Sequence, residues 1–264
     1  MSVFVKIKAV LESLSTSELK LASFVLDSPD AVKDMNSQVL ARAAGVSQSS
    51  VVKFAQKLGY RGYPALKFAV LEALNTDTPN PLLKGQITQA DSYQEMADKL
   101  VNSKIAVLHE TRQLNEIVVF ERAVELIKGA RRILISGVGG SALVGKDFSY
   151  RLHQLGIHAM AEHDGRAQLG IAAALGESDV VIAISHSGTS RDVLSAVSKA
   201  HNNGARIIAM TKYGSTPISR LAHVQLYSVA EEHALCLSST MARTSQEMVI
   251  DMLCMALTQV VHQS

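Results

Sequence analysis

The residues of this chain best placed to do chemistry lie between Asp179 and Ser190, DVVIAISHSGTS. Five consecutive apolar residues, Val180 to Ile184, run directly into Ser185, Ser187, Gly188, Thr189 and Ser190. An apolar run this short, bounded by polar turn residues, predicts a strand buried on both faces. The next stretch, RDVLSAVSKAHNNG, has helical spacing, with Val193, Val197 and Ala200 on one side and Gly204 as its stop. Strand, hydroxyl-rich turn and helix N-terminus form a geometry that holds an anion. The first N–H groups of a helix have no partner within it, and its dipole favours negative charge there. Ser and Thr hydroxyls add donors without adding charge, which suits a phosphate that must also leave. An N-cap and a turn account for any one of these residues, but four hydroxyls around one glycine exceed what a cap needs.

The whole chain sets the bounds. Its 264 residues suffice for one large domain or two ordinary ones. With 26 basic against 24 acidic residues and 47% apolar content, neither disorder nor a polyanion-binding role for the entire surface is implied. The N-terminus lacks a charged-then-apolar signal pattern, and no apolar run approaches the roughly 20 residues of a membrane helix. The expected location is the cytoplasm, with no membrane partner. Cys236 and Cys254 show no metal-ligand spacing and read as reduced core residues. The nine histidines include no HExxH-like pair, so no metal or cofactor is expected. His109, His201 and His262 are assigned to the surface.

Residues 1–76 read as an all-helical bundle. Val5, Ile7, Val10, Leu11 and Leu14 predict a first helix, and SELKLASFVLDSP a second that stops before Pro29. A short third helix is expected over 31–34. Asn36 and Ser37 then cap SQVLARAAG, Gly45 breaks it, and Ser47 caps QSSVVKFAQKLG. Two short helices joined by a glycine-bearing turn have the spacing of a helix-turn-helix. Val51, Val52, Phe54, Ala55 and Leu58 supply the buried side of the second. Gln48, Ser49, Ser50, Lys53 and Lys57 fall largely on the other face. From Ser47 to Lys67 there are four basic residues, Lys53, Lys57, Arg61 and Lys67, and no acidic one. Positive potential is thus concentrated where a DNA backbone would lie, with small polar residues free to meet base edges. A plain helical bundle with a solvated basic face remains the alternative.

Residues 77–92 read as a linker, rich in proline and small polar residues. From Tyr93 a long amphipathic helix is predicted to Leu114, and another over 120–127. Strands and helices then alternate: RILISGV, HAMAE, VVIAIS, RIIAMT and VQLYSV are strands, with a short helix from about Pro217 and a long one over 239–262. This βα alternation predicts a parallel sheet with helices on both faces. Five strands fit a flavodoxin-like order with the first and third adjacent. Ligands in such sheets sit beyond the carboxyl ends of the strands, where GVGGS (137–141) and SHSGTS (185–190) would converge. Gly137, Gly139 and Ala142 also fit G-x-G-x-x-A, with Glu162 about twenty residues on, a passable dinucleotide fingerprint. A dinucleotide site, however, has no need of the hydroxyls after the third strand.

Residues 40–70, LARAAGVSQSSVVKFAQKLGYRGYPALKFAV, resemble the helix-turn-helix of the RpiR family of bacterial sugar-metabolism regulators. Ala-Gly-Val-Ser at the turn, the Val-Lys-Phe block, and Leu-Gly-Tyr before Gly-Tyr-Pro and Leu-Lys carry the likeness. Many members have Thr and Arg where this chain has Ser50 and Lys53, which keeps hydroxyl and charge but not arginine's two-pronged hydrogen bonding. GVGGSALVGKDFSYRLHQLG and ISHSGTSRDVLSAVSKAHNNGARIIAMT are similar to the sugar isomerase (SIS) domain, which binds phosphosugars. The family's Ser-x-Ser-Gly-x-[Ser/Thr] phosphate turn lands on Ser185, Ser187, Gly188 and Ser190, with Thr189 beside it. The hydroxyl after the first strand lands on Ser141, next to Gly139. His163 overhangs the same crevice, and Glu231 and Glu232 follow the last strand where SIS isomerases place their base. For His163 an exposed loop histidine is the commoner case, and a solvated acidic pair at a helix start accounts for the two glutamates equally well.

The resemblance covers nearly the whole chain and implies a regulator: a helix-turn-helix bundle followed by a flavodoxin-like SIS domain over 93–264. Its implied partners are double-stranded operator DNA, a phosphosugar effector and a second copy of the chain, as a dimer or a tetramer. Ser47, Gln48, Ser49, Ser50, Lys53, Lys57 and Arg61 are the DNA-facing candidates. The competing class is a phosphosugar isomerase. That reaction needs a positioned base and usually an acid partner, and no convincing partner for Glu231 or Glu232 is visible.

Overall fold

The structure, a computed structural model, describes residues 3–75, 87–230 and 238–261. The chain divides into two compact units, Met1–Asn80 and Pro81–Ser264. The first is helical: α1 (Val3–Val10), α2 (Thr16–Asp27), α3 (Ser37–Ala43), α4 (Gln48–Lys57) and α5 (Tyr63–Asn75). Ser15 starts α2 through a capping box, its backbone N–H donating to the Glu18 carboxylate at 2.8 Å. Pro29 then opens a 3-10 stretch, Pro29–Asp34, in place of the third α-helix that the sequence pattern predicts. Leu21, Val25, Leu40, Val51, Phe54, Leu58 and Leu66 are buried in this unit.

The second unit opens with α6 (Tyr93–Leu114), capped by Ser92 and Glu95, and α7 (Ile117–Gly129). Then follow β1 (Ile133–Gly137), α8 (Gly140–Gln154), β2 (Ala159–Glu162), α9 (Gly165–Ala173), β3 (Val180–Ile184) and α10 (Arg191–Asn202). They lead to β4 (Arg206–Thr211), β5 (Val224–Tyr227) and α11 (Ser238–Val261). The helix expected from Pro217 is a single 3-10 turn, Ser219–Leu221. All pairings are parallel, in the order β2-β1-β3-β4-β5. The order reverses between β1 and β3, as the sequence pattern predicts.

The uninterrupted VVIAI of β3 follows from this architecture. Val180, Ile182 and Ile184 pack with α7, α8 and α11 on one face, while Val181 and Ala183 pack with α9 and α10 on the other. No position of this strand meets water, so none needs a polar residue. Burying each Val or Ile contributes roughly 1.5–3 kcal/mol. The strand is therefore a rigid base for the turn at its end.

Polar ties finish the unit. At the N-terminal edge of the sheet, the buried Asp179 carboxylate accepts from Arg131, Arg132 and the Gly176 N–H. Near the other edge, Ser245 on α11 pairs with Thr111 on α6 at 2.7 Å and accepts from the Val229 N–H at 2.7 Å. Cys254 is a buried free thiol, pushed by burial up to about 11; Cys236 and His262 lie outside the described residues. His109 is exposed, whereas His201, expected at the surface, is half-buried 5.8 Å from His223. No helix among the described residues is long and apolar enough to cross a membrane.

Candidate functional site

The carboxyl ends of β1 and β3 open into a crevice of about 280 Å³. Ser141 lines it from the β1 side; Ser185, His186, Ser187 and Ser190 line it from the β3 side. The two turns singled out in the sequence therefore meet at one place.

The β3 turn is held from several directions. Ser185 donates its N–H to the Met210 carbonyl at 3.0 Å, and Gly188 donates back to the Ser185 carbonyl at 2.9 Å. Gly188 sits at φ +66°, and a Cβ there would run into the Thr216 side chain, 2.5 Å from its Cβ. Only glycine fits both the conformation and the space. The Ser187 hydroxyl accepts from the N–H and hydroxyl of Thr189, at 3.3 and 3.0 Å. His186 pairs through Nδ1 with the Ser228 hydroxyl at 3.1 Å.

Ser190 is the N-cap residue of α10, yet its side chain makes no capping bond. Its hydroxyl faces Ser185 instead. The N-cap of α8 is Gly139, at φ +55°, which has no side chain to cap with. The helices α3, α4, α6 and α9, away from the crevice, are capped by Asn36, Ser47, Ser92 and Asp164. The helices that follow β1 and β3 thus leave their first N–H groups without a side-chain partner, as α7 does away from the crevice, and at the crevice such groups can meet an anion. The N-cap account of Ser190 does not hold.

The β1 turn is braced by Gln168 of α9, a residue nothing in the sequence marked. It is wholly buried; its Oε1 accepts from Ser136, and its Nε2 donates to the carbonyls of Gly137 at 2.9 Å and Glu162 at 3.0 Å. One side chain thereby ties the ends of β1 and β2. Ser141 in turn accepts from Gln246 Nε2 of α11 at 3.1 Å.

Other expected residues stand apart. Gly139, Gly188 and Thr189 belong to the two turns but do not line the crevice. His163 is exposed and does not line it, and neither does Glu162, the acid a dinucleotide site would use. Glu231 and Glu232 lie outside the described residues. The residues missed are Ser239, Arg243 and Gln246 of α11, together with His186. Their only trace in the sequence is polar residues grouped near the start of the last helix.

In the first unit, α3 and α4 form the expected pair. Val46 donates to Ala41 at 2.9 Å and Gly45 to Arg42 at 3.2 Å, a Schellman closure made possible by Gly45 at φ +65°. Ser47 caps α4, accepting from the Ser50 N–H at 3.2 Å, and its hydroxyl also meets those of Ser49 and Ser50. Gln48 donates across the turn to Ser37 at 2.9 Å. Val51, Phe54, Ala55 and Leu58 are buried and Val52 half-buried, while Gln48, Ser49, Lys53 and Arg61 are exposed. Lys57, also exposed, donates to the Ser13 carbonyl at 2.6 Å and to the Glu18 carboxylate of α2 at 2.9 Å. Lys67 likewise donates to the Met35 carbonyl at 3.1 Å.

Comparison with known proteins agrees with both halves. Residues 1–77 match the family described as helix-turn-helix domain, rpiR family, and residues 126–256 match the SIS domain. An uncharacterised HTH-type transcriptional regulator of Escherichia coli, YfhH, is 36% identical over 261 residues, covering 98% of this chain and 93% of the relative. Among solved structures, Vibrio vulnificus NanR complexed with ManNAc-6P aligns at TM-score 0.60 and 23% identity, over 99% of this chain and 93% of NanR. The sugar isomerase domain of an RpiR transcription factor from Sphaerobacter thermophilus aligns at 0.60 and 23%, over 64% of this chain and 93% of that one. A phosphoheptose isomerase from Francisella tularensis aligns at 0.55 and 19%, over 64% of this chain and all of the enzyme, a likeness of fold. The chain belongs to the RpiR family of helix-turn-helix transcriptional regulators, with a SIS domain following the helix-turn-helix, and is a regulator rather than an enzyme.

Proposed function

We propose that this regulator controls a sugar or amino-sugar catabolic operon in the bacterial cytoplasm, and that a phosphorylated sugar in the crevice alters its affinity for operator DNA. One observation carries the reading. Ser141, Ser185, Ser187 and Ser190 meet around a crevice at which two helices begin without side-chain caps. Those hydroxyls and free N–H groups are the donors a phosphoryl group requires. Vibrio vulnificus NanR is complexed with ManNAc-6P, an N-acetylated amino-sugar phosphate, and that directs the choice of effector toward the same class.

In this reading residues 1–76 read DNA, 77–92 link, and 93–264 hold the effector. Ser47, Gln48, Ser49 and Ser50 meet base edges, and Lys53 and Arg61 hold backbone phosphates. Gly139, Gly188 and Thr189 shape the phosphate turns, and His163, Glu231 and Glu232 are candidates for the sugar hydroxyls. Operator half-sites one helical turn apart require two reading heads, so the acting form is a dimer or a pair of dimers. Its copies pair through the C-terminal domains with help from α6 and α11. Effector and DNA must then change each other's affinity by the same factor. The test is a gel shift on the chain's own promoter region, with and without a panel of hexose and aminohexose phosphates. Retarded DNA whose midpoint moves with one phosphosugar supports the proposal. Turnover of a sugar phosphate without DNA affinity overturns it.

A further inference from the structure

The two hydroxyl turns supply donors but no charge, whereas a phosphate monoester near neutral pH carries close to two negative charges. The crevice does contain a permanent cation, and it comes from the last helix. Arg243 of α11 lines the crevice, and no carboxylate does so among the described residues. Its stem lies over the first turn of α8: a Cβ built on Gly140 would stand 3.3 Å from its Cδ and 3.4 Å from its Cγ. The half-buried arginines Arg132 and Arg151 are both ion-paired, to Asp179 and to Asp147 and Asp251. Half-buried Arg243 has no ion pair among the described residues.

A second observation on the same helix points to the same place. Gln246, one turn on, is wholly buried and lines the crevice, and its Oε1 is a buried acceptor without a partner. Of the three buried glutamine oxygens without a partner among the described residues, it alone lines the crevice. Its Nε2 donates to Ser141 and takes one of that oxygen's two acceptor positions, while the Ser141 O–H is left to donate outward.

We propose that α11 supplies the charged half of the effector site, with Arg243 pairing with the phosphoryl group and favouring its dianionic form, and Gln246 setting Ser141 as a donor to it. This rests on the reading of the crevice as a phosphosugar site and adds the residues that hold the phosphate's charge.

The experiment is isothermal titration of the full chain, wild type beside R243Q, R243K and the double variant S185A/S187A. The titrant is the hexose or aminohexose 6-phosphate that binds the wild type most tightly, at pH 5.5 and 7.5. The phosphate's second proton leaves near pH ~6, so its charge rises across that interval. Wild type and R243K should gain affinity with pH, and R243Q should lose most of that gain and bind at least about tenfold more weakly at pH 7.5. His186, the other titratable group lining the crevice, is present in every variant, and R243K keeps the positive charge beside it. S185A/S187A should lose affinity at both pH values while keeping the sign of the gain. R243Q binding within about twofold of wild type with an equal pH gain overturns the proposal. If circular dichroism shows R243Q unfolded, R243K against R243M decides by the same criterion. If wild type retards its promoter DNA but binds no sugar phosphate, the reading of the crevice fails first and the role of Arg243 with it.

Discussion

The hydroxyls of Ser185 and Ser190 stand 3.0 Å apart across the turn that joins β3 to α10. Ser185 is fixed to β4 through its backbone, and Ser190 opens a helix that it does not cap. The two therefore satisfy each other in an arrangement that a phosphate oxygen could replace without moving either backbone. Replacing Ser185 and Ser187 together with Ala should leave DNA binding in the gel shift unchanged. Each hydrogen bond to a charged group contributes roughly 1.5–3 kcal/mol, so effector affinity should fall about 100-fold or more. A double variant that responds to the effector as wild type does would remove the phosphate from this turn.

Gly188→Ala tests the turn rather than its hydroxyls. The new methyl would meet the Thr216 side chain, 2.5 Å from its Cβ, in a left-handed conformation that costs alanine about 1 kcal/mol by itself. Overpacking adds typically 1–3 kcal/mol. The expected outcome is a loss of roughly 2–4 kcal/mol in urea unfolding of the second unit, accompanied by lost effector binding. Full stability with full binding would show that Thr216 yields easily and that glycine is not required.

How much of this was legible depends on how far apart the contributing residues lie. The run VVIAI announced a strand covered on both sides, and helically spaced apolar residues announced α10, because local order alone sets those patterns. The reversal of strand order brought the 137–141 and 185–190 turns together by topology, so that half of the crevice was readable. Arg243 and Gln246 were not. They reach the crevice only because α11 packs beside α8, and their stretch, TMARTSQ, looks like any solvated helix start. Gln168 was hidden for the same reason: nothing in an isolated glutamine says that it is wholly buried. The tie from Lys57 to Ser13 and Glu18 is hidden too, because those partners lie 44 and 39 residues away.

That tie separates two lysines of one helix. Lys53 is exposed with no ion pair among the described residues, and it remains a candidate for a DNA phosphate. Lys53→Ala should weaken DNA binding about equally across sequences and reduce the slope of log K against log salt by about 1, without changing effector affinity. Lys57→Ala should leave the salt slope unchanged and lower the stability of the first unit instead. The Lys57–Glu18 pair is partly exposed, so that loss should be only about 0.5–1 kcal/mol. A salt slope that falls equally in both variants would return Lys57 to the DNA face.

Asp179 lies at the N-terminal edge of β3, with that strand between it and the crevice, and should govern acid stability without touching function. Its carboxylate is fully buried and accepts from Arg132 at 2.8 Å, from Arg131 at 3.1 Å and from the Gly176 N–H at 2.9 Å. The Arg132 bond, followed by those from Arg131 and Gly176, outweighs the burial that opposes the charge and holds this group well below the usual carboxylate range. A carboxyl depressed in the folded state stabilises the fold above its unfolded pKa, near ~3.9, and that contribution is lost as pH falls through the folded value. Asp179→Asn should therefore lower stability at pH 7 by roughly 1–3 kcal/mol; the exposed side of both arginines keeps the figure from being larger. The difference in Tm between wild type and variant should stay constant above about pH 5 and narrow below about pH 4. Thermal unfolding followed from pH 3 to 7 measures it. A gap that did not narrow in acid would mean that the carboxylate contributes by shape and hydrogen bonding, not by charge.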